Sequence, residues 1–265
     1  MTTTRGTGRA ALRRAVEAVL ARLPDKALVR LEEEVQLVQG KGWGTSTVAA
    51  EVAAVRRLLG PSADGPLTVL DVGANAGAWT REALRQLPAA HVHSFEPASA
   101  ARAHLSSEFG SNARVSIHPI ALGATDSEAT LYADAPGSGL ASLSQRRLDH
   151  RALSLTHEER VTVRTLPSWL TYTGVDKVDV LKLDVEGHEL DVLRAATDQL
   201  KTVRVIQFEF GGCNIDTRTY WQDFWYLLSD AGYRLYRLAP RRLIQVSRYH
   251  ERDESFLTTN FFAQK

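Results

Sequence analysis

Four titratable side chains crowd into one short stretch in the second half of the chain. They follow an apolar run that begins at Val178, and they are Asp184, Glu186, His188 and Glu189. If that run is a central strand of an open α/β sheet, Asp184 ends it at the edge where such sheets bind ligands. Repulsion and partial burial shift the pKa values of crowded groups toward catalytic use. The stretch is a candidate for catalysis or metal binding, unless its carboxylates only favour the N-terminus of the following helix.

A further carboxylate, Glu209, ends the next apolar run and would share this sheet edge with Asp184. Two carboxylates and His188 could hold a divalent cation or orient a hydroxyl group. Neither spacing nor composition decides between these two uses. Lys182, inside the preceding apolar run, is expected to be an ion-pair partner rather than a base.

Glycines and an acidic residue mark an earlier turn from strand to helix. Asp71 ends an apolar run, and a loop with Gly73, Asn75 and Gly77 follows it. Glycine lets a ligand approach the backbone closely, although tight packing alone needs similar glycines. The dinucleotide fingerprint requires a third glycine, which is missing. A carboxylate at this place would repel a pyrophosphate, whereas S-adenosylmethionine has no phosphate and carries a sulfonium. The loop therefore favours S-adenosylmethionine over NAD.

Glu96 ends the second predicted strand, about twenty residues beyond the glycine loop, where an acidic side chain can accept hydrogen bonds from both ribose hydroxyls. Pro97 follows it and suits a first helical turn. Glu96 could therefore also cap the next helix, and both roles could hold together.

Short β-branched runs that alternate with helical stretches must position these residues. From Leu67 onward this alternation predicts a mostly parallel, Rossmann-like sheet with helices between the strands. Residues 234–238 and 256–263 predict an antiparallel closing pair at the sheet edge. The stretch 123–173 is longer than an ordinary crossover, and it predicts either a mobile substrate lid or an exposed hairpin.

Residues 1–60 differ from the rest, because their apolar residues recur at helical spacing. They predict an N-terminal helical cap of three amphipathic helices ahead of the α/β domain, which we place at 61–265. The apolar faces of the cap must be buried, either over the substrate side of the sheet or against a second subunit. A homo-oligomer through these helices is one such arrangement.

Composition excludes several classes of protein. Hydrophobic residues make up 44% and charged residues 24% of the 265 residues, which is typical of a globular domain. A net charge of +1 gives no field that would gather nucleic acid. Charges interrupt every hydrophobic run, so no membrane span is expected. The single cysteine, Cys213, fits a reducing compartment, and a cytoplasmic location is predicted.

Taken together, these motifs resemble the FkbM family of S-adenosylmethionine-dependent methyltransferases. The resemblance lies in residues 69–77, in the triplet 95–97 and above all in 179–189, which reads Asp, apolar, Leu, Lys, apolar, Asp, Val, Glu, Gly, His, Glu. It extends over residues 67–263 and leaves the helical cap outside. Pro167 departs from the pattern, because relatives often carry an acidic residue at that position.

The resemblance implies a class I methyltransferase fold and O-methylation of a hydroxyl group on a sugar, a polyketide or a related small molecule of secondary metabolism. It implies that the methionine end of the cofactor is held by Asp71, Gly73, Asn75 and Gly77. Glu96 would bind the ribose. The residues implied to face the acceptor are Asp184, Glu186 and His188.

For the removal of the acceptor proton we favour His188 as the base, because imidazole titrates near neutral pH. A divalent cation held by Asp184 and Glu209 is the alternative route. Two other classes of function stay open at this point. They are a nicotinamide-dependent oxidoreductase and a non-catalytic cofactor-binding protein.

Overall fold

The structure is a computed structural model, and it describes residues 4–44 and 48–265. The helices are α1 Thr4–Leu20, α2 Asp25–Val38, α3 Val48–Leu59, α4 Ala78–Gln86, α5 Ser99–Phe109, α6 Leu166–Thr173, α7 Glu189–Ala195, α8 Cys213–Thr217 and α9 Trp221–Asp230. The strands are β1 Leu67–Val72, β2 Ala90–Phe95, β3 Val115–His118, β4 Ala121–Leu122, β5 Ser127–Ala133, β6 His157–Arg164, β7 Val180–Leu183, β8 Val205–Phe210, β9 Arg234–Ala239, β10 Arg242–Val246 and β11 Thr259–Gln264.

The main sheet has eight strands in the order β10-β9-β11-β8-β7-β1-β2-β3. Strands β3, β2, β1, β7 and β8 run parallel, and β11 is antiparallel to both β8 and β9. The predicted fold class, a mostly parallel Rossmann-like sheet with an antiparallel closing strand, is confirmed. This arrangement brings the carboxyl ends of β1, β2, β7 and β8 to one edge.

The predicted closing pair is wrong in its position. Strand β11 lies between β8 and β9 instead of at the edge, and β10, which the sequence did not predict, forms the edge. Burial explains the order. Residues Thr259–Ala263 of β11 are all buried, as a strand with neighbours on both sides must be, whereas no residue of β10 is buried.

Two apolar layers cover the main sheet, one on each face, as a parallel sheet requires. Strand β8 contributes side chains to both layers, because successive side chains of a strand point to opposite faces of the sheet. Phe208 packs with Trp221 and Phe261 in one layer, while Val205 belongs to the other layer, together with Trp79. The ring centroids of Trp221 and Phe261 are 3.9 Å apart.

The predicted insertion contributes β5 and β6 to a second, three-stranded sheet in the order β4-β6-β5, and β4 ends just before the insertion. The segment that follows β5 returns to it, because Tyr132 and Ser142 exchange backbone hydrogen bonds of 2.8 and 2.9 Å. Residues 142–146, which we call the strap, then run toward the carboxyl edge of the main sheet.

The three N-terminal helices differ in their burial. Helix α3 packs on the sheet beside α4 and buries Val52, Val55 and Leu59. Helix α2 has no buried residue, and apolar side chains of α1 and α2 such as Leu12, Val19 and Val38 are more than half exposed. A separate cap over residues 1–60 stays a prediction, and residues 1–3 and 45–47 of it lie outside the described residues. No helix in the described ranges is long and apolar enough to cross a bilayer.

Candidate active site

A row of buried polar side chains crosses the sheet just below its carboxyl edge. Asp71 of β1 pairs in register with Lys182 of β7, and Lys182 pairs with Gln207 of β8. The Lys182 ammonium lies 2.9 Å from the Asp71 carboxylate and donates a hydrogen bond of 2.8 Å to the Gly73 carbonyl. Although burial lowers the Lys182 pKa, the carboxylates of Asp71 and Asp184 raise it above its usual value. Lys182 is thus an ion-pair partner, as predicted.

Asp71 supports the glycine loop from beneath. Its carboxylate is fully buried and accepts a hydrogen bond of 2.7 Å from the Thr80 hydroxyl, in addition to its ion pair with Lys182. Asp71 lines neither of the cavities described below. A direct contact between Asp71 and the methionine end, as the sequence predicted, therefore has no support in this geometry. Lys182 joins Asp71 to the Gly73 carbonyl of the loop.

The glycines of the loop serve two different purposes. A Cβ atom at Gly73 would lie 1.8 Å from the Asp184 carbonyl oxygen, and the φ angle of Gly73 is +78°. Gly73 therefore lets the loop approach the end of β7. Gly77, with a φ angle of +86°, faces the Phe109 ring instead and permits packing against α5. Asn75, between them, also has a positive φ angle, of 47°, and its side chain accepts the Ala76 N–H at 2.6 Å.

Glu96 joins the loop to the start of α5. Its two carboxylate oxygens accept the N–H groups of Asn75 at 2.7 Å and of Ala98 at 2.8 Å. Burial raises its pKa, while these two donors act in the opposite direction. Because a carboxylate oxygen can accept more than one hydrogen bond, capacity remains for a ligand in the adjoining cavity. The predicted capping role is thus present, and the ribose role stays a prediction.

Two neighbouring cavities occupy the carboxyl edge. The smaller, of about 140 Å³, is lined by Glu96 and by apolar residues of β2, β4 and β5. The larger, of about 900 Å³, extends from the glycine loop to α8 and to the start of α3, and its volume is in the range of small-molecule sites. Both are lined by Gly73, Asn75, Gly139, Asp184 and Glu186.

Three carboxylates meet where the cavities adjoin. One oxygen each of Asp184, Glu186 and Glu209 lies within 4.8 Å of the others. Asp184 and Glu209 are each two residues beyond a member of the buried row, so they point to the same face of the sheet. Burial, followed by repulsion from Asp184, raises the pKa of Glu186 to about 7. The same two causes raise the Glu209 pKa well above its usual value.

The turn between β7 and α7 sets the direction of Glu186. Its φ angle is 53°, in the left-handed region that few non-glycine residues adopt. Glu189 holds this turn, because its buried carboxylate accepts the N–H groups of Val185 at 2.8 Å and of Gly187 at 3.1 Å. Burial raises the pKa of Glu189 to about 8. Glu189 therefore stabilises the turn and does not line the cavities.

His188 lies beside the cavities and lines neither of them. Its Nδ1 is 2.9 Å from the Asp191 carboxylate, and its Nε2 is 3.0 Å from the Ser144 hydroxyl. Both ring nitrogens thus have protein partners. The structure does not bring His188 to the two carboxylates with which the sequence grouped it, and its predicted role as base has no geometric support.

The strap contacts this same turn through alternate residues. The Ser142 hydroxyl donates to the Glu186 carbonyl at 2.8 Å, and Ser144 meets His188. The buried guanidinium of Arg146 lies 2.7 Å from the Glu186 carboxylate and 2.9 Å from Asp216. The strap therefore holds the insertion against the cavities, although its mobility stays a prediction.

Sequence reasoning missed several charged residues of the larger cavity, and two of them, Arg146 and Glu51, contact other residues of the site. Arg146 carries no pattern that would distinguish it from other arginines of the insertion. Glu51 of α3 accepts hydrogen bonds from Gln207 at 2.7 Å and from Asn260 at 3.1 Å. A signal existed for Glu51, because it falls on the buried face of α3 together with Val52 and Val55.

Comparison with known proteins decides the family. A family model described as "Methyltransferase FkbM domain" matches residues 71–235. The chain belongs to the FkbM methyltransferase family. The resemblance inferred from the sequence is thereby confirmed, and so is the cofactor that it implied, S-adenosylmethionine.

Among curated relatives, "Methyltransferase 1" of Beauveria bassiana is 30% identical over 146 residues, which are 49% of this chain and 59% of that protein. The "2-O-methyltransferase NoeI" of Sinorhizobium fredii is 24% identical over 151 residues, 54% of this chain and 62% of that protein. The chain thus spans less than two thirds of either relative. A solved precorrin-6y C5,15-methyltransferase from Geobacter metallireducens is 13% identical, covers 82% of this chain and 87% of its own, and has a TM-score of 0.45.

The residues at the carboxyl edge of this FkbM domain fit S-adenosylmethionine. The loop approaches the end of β7 so closely that Gly73 tolerates no Cβ atom, which leaves backbone groups facing the cavities. Glu96 has acceptor capacity beside the smaller cavity. The carboxylates of Asp184, Glu186 and Glu209 supply negative charge for a cationic ligand.

Proposed function

We propose that this FkbM methyltransferase transfers a methyl group to a hydroxyl group of a small molecule such as a sugar or a polyketide. The observation that carries the proposal is the carboxylate cluster. It lies between the smaller cavity, which is lined by the candidate ribose-binding residue Glu96, and the larger cavity, which has room for an acceptor. Carboxylates can accept the proton that a hydroxyl must lose. The printed name of the Sinorhizobium relative, a 2-O-methyltransferase, also supports oxygen as the acceptor atom.

Each part of the site has a task in this proposal. Glu96 accepts hydrogen bonds from the ribose, and Gly73 and Asn75 present the loop to the methionine end. S-adenosylmethionine supplies, when bound, a methyl carbon on a positively charged sulfur. Asp184 and Glu186 orient the acceptor, since the main requirement of an in-line displacement is alignment of the acceptor oxygen.

The charge of the cluster suits this reaction. The carboxylates repel one another, and a cation placed beside them relieves that repulsion. Leu143 and Arg146 of the strap line the smaller and the larger cavity, respectively, so the strap lies beside both ligands in this proposal. Binding of the methyl donor and orientation of the acceptor thus depend on the same edge of the sheet.

Transfer of an isotopic label tests the proposal. The protein is incubated with S-adenosylmethionine that carries a trideuterated methyl group and with a metabolite extract of the host. We expect mass spectrometry to find a labelled metabolite whose methyl group is on oxygen. Label on nitrogen or carbon alone would contradict O-methylation. Binding of S-adenosylmethionine without any labelled product would favour a non-catalytic cofactor-binding protein.

We further propose that α1 and α2 cover their apolar side chains by packing against a second copy of the chain. Their charges suit such a pairing, because Arg13 and Arg14 lie on α1 and Glu32, Glu33 and Glu34 on α2. Light scattering should find a dimer that Val19→Asp with Val38→Asp converts to a monomer. A monomeric wild-type protein would contradict the pairing.

A further inference from the structure

A methyltransferase that acts on a hydroxyl needs a group that takes the hydroxyl proton, and the structure offers few candidates. His188 has partners on both ring nitrogens and lines neither cavity. Cys213 lines the larger cavity, but burial raises its thiol pKa far above the usual value. His150 and Asp216 also line the larger cavity, but His150 is exposed to solvent and Asp216 is paired with Arg146 at 2.9 Å. The three carboxylates at the junction of the cavities are the candidates that are neither exposed in this way nor remote from the cofactor loop.

The three carboxylates differ in their partners. Glu186 forms an ion pair of 2.7 Å with Arg146, so it already has a cationic partner. Asp184 lies 3.6 Å from the Lys182 ammonium. Across residues 4–44 and 48–265, the Glu209 side chain has neither an ion pair nor a hydrogen bond. Its oxygens are thus free to meet a ligand in the larger cavity, which Glu209 lines.

The fold fixes the position of Glu209. It lies near the end of β8, two residues beyond Gln207, and pairs in register with Asn260 of β11. Strand β11 therefore holds its backbone on one side, while its side chain reaches the carboxylates of Asp184 and Glu186. Burial and these two like charges raise its pKa, which makes it a stronger proton acceptor once ionised.

We infer that Glu209 is the general base that accepts the proton of the acceptor hydroxyl. The inference rests on the proposed function. As the hydroxyl oxygen forms its bond to the methyl carbon, the bond from that carbon to sulfur breaks and its electron pair stays on sulfur. The hydroxyl proton passes to a Glu209 oxygen and later to solvent. Asp184 and Glu186 orient the acceptor, and His188 is a positioning residue that holds the strap through Ser144.

Two substitutions at position 209 test this assignment. Glu209→Gln keeps the size of the side chain, and Glu209→Ala leaves a space that formate can enter. Turnover is measured as label transferred from trideuterated S-adenosylmethionine to the extract metabolite that the wild type labels. We expect both variants to lose at least roughly 100-fold in kcat. Sodium formate should restore part of the activity of Glu209→Ala and none of that of Glu209→Gln.

Readouts other than turnover separate a base from a structural residue. The dissociation constant of S-adenosylmethionine, measured by calorimetry, should change less than about tenfold in Glu209→Gln, and circular dichroism should show the native helix content. Glu108→Gln, the matched substitution on the exposed surface of α5, should keep kcat within about twofold of the wild type. The loss is then specific to position 209.

Several outcomes would overturn the assignment. A Glu209→Gln variant within threefold of the wild-type kcat, or a Glu209→Ala variant that ignores formate, would leave the proposed function intact and remove Glu209 as the base. Wild-type activity that EDTA abolishes and magnesium restores would make the three carboxylates a cation site instead. A wild type that binds S-adenosylmethionine and labels no metabolite would overturn the proposed function, and the base with it.

Discussion

Two rows of polar side chains cross the same face of the sheet, two residues apart along the strands. In the lower row, Asp71 and Lys182 form an ion pair, and Gln207 bonds to Glu51 and Trp79. In the upper row, the carboxylates of Asp184, Glu186 and Glu209 meet beside the cavities, and the pKa values of Glu186 and Glu209 are raised. The difference shows that burial alone does not create a reactive carboxylate. The partner within reach decides whether the charge is stabilised or left available.

Removal of Lys182 should have the largest effect, because it breaks the lower row. Lys182→Met leaves the Asp71 carboxylate buried without its cation, and we expect a loss of about 3 to 5 kcal/mol in the free energy of unfolding. Urea denaturation measures this loss. Lys201→Met, whose ion pair with Asp198 is exposed, should change stability by less than about 1 kcal/mol. Equal effects of the two variants would contradict the contrast between the rows.

Substitution of Glu96 tests whether this residue at the carboxyl edge of the sheet binds the cofactor. Glu96→Ala removes charge-assisted hydrogen bonds worth roughly 1.5 to 3 kcal/mol each, so the affinity for S-adenosylmethionine should fall by about tenfold or more. Calorimetry gives the dissociation constant. Glu108→Ala, a change on the surface of α5, should leave it unaltered. If both variants bind equally well, Glu96 only caps α5.

The contribution of the upper row to the free energy of unfolding should decrease as the pH rises, whereas the contribution of a carboxylate in an ion pair increases. The folded state raises the Glu209 pKa, so its contribution to stability is present at low pH and is lost as pH rises through the folded pKa. Glu209→Gln removes this dependence. We expect it to be more stable than the wild type at pH 8 and equal to it at pH 4. A variant that is less stable at pH 8 would show that Glu209 has a stabilising partner.

Binding of the methyl donor should release protons from the upper row. A cation beside Glu186, whose pKa is about 7, favours the ionised carboxylate. Calorimetric enthalpies in Tris and in phosphate buffer at pH 7 should therefore differ by the heat of up to about one proton. A binding enthalpy that is independent of the buffer would place the cation away from these carboxylates.

Short sequence patterns were sufficient to predict much of the fold and about half of the candidate site. The glycine loop, Glu96 and Asp184 follow apolar runs that end in recognisable turns, so their places at the sheet edge were predictable. The partners of these residues were not. That Asp71 faces Lys182 depends on the register between β1 and β7, and the position of β11 depends on burial across the whole sheet.

His188 shows a different limit of sequence reasoning. Its place two residues after Glu186 suggested that both side chains share a cavity. Glu186, however, adopts a left-handed backbone conformation, which a glutamate in the sequence does not predict. The turn therefore sends His188 toward Ser144 and Asp191. Arg146 reaches Glu186 from forty residues away in the chain, and only the three-dimensional path of the insertion reveals it.

The strap has a consequence for the speed of the catalytic cycle. Two hydrogen bonds and one buried ion pair hold it to the turn after β7. Its residues Leu143 and Arg146 line the smaller and the larger cavity, respectively. If the predicted opening of the strap is the route by which spent cofactor leaves, these contacts must break first, and loop openings of this kind take microseconds to milliseconds. Product release would then compete with the chemical step as the slowest event, and weaker contacts of the strap would speed turnover while they reduced the affinity for both ligands.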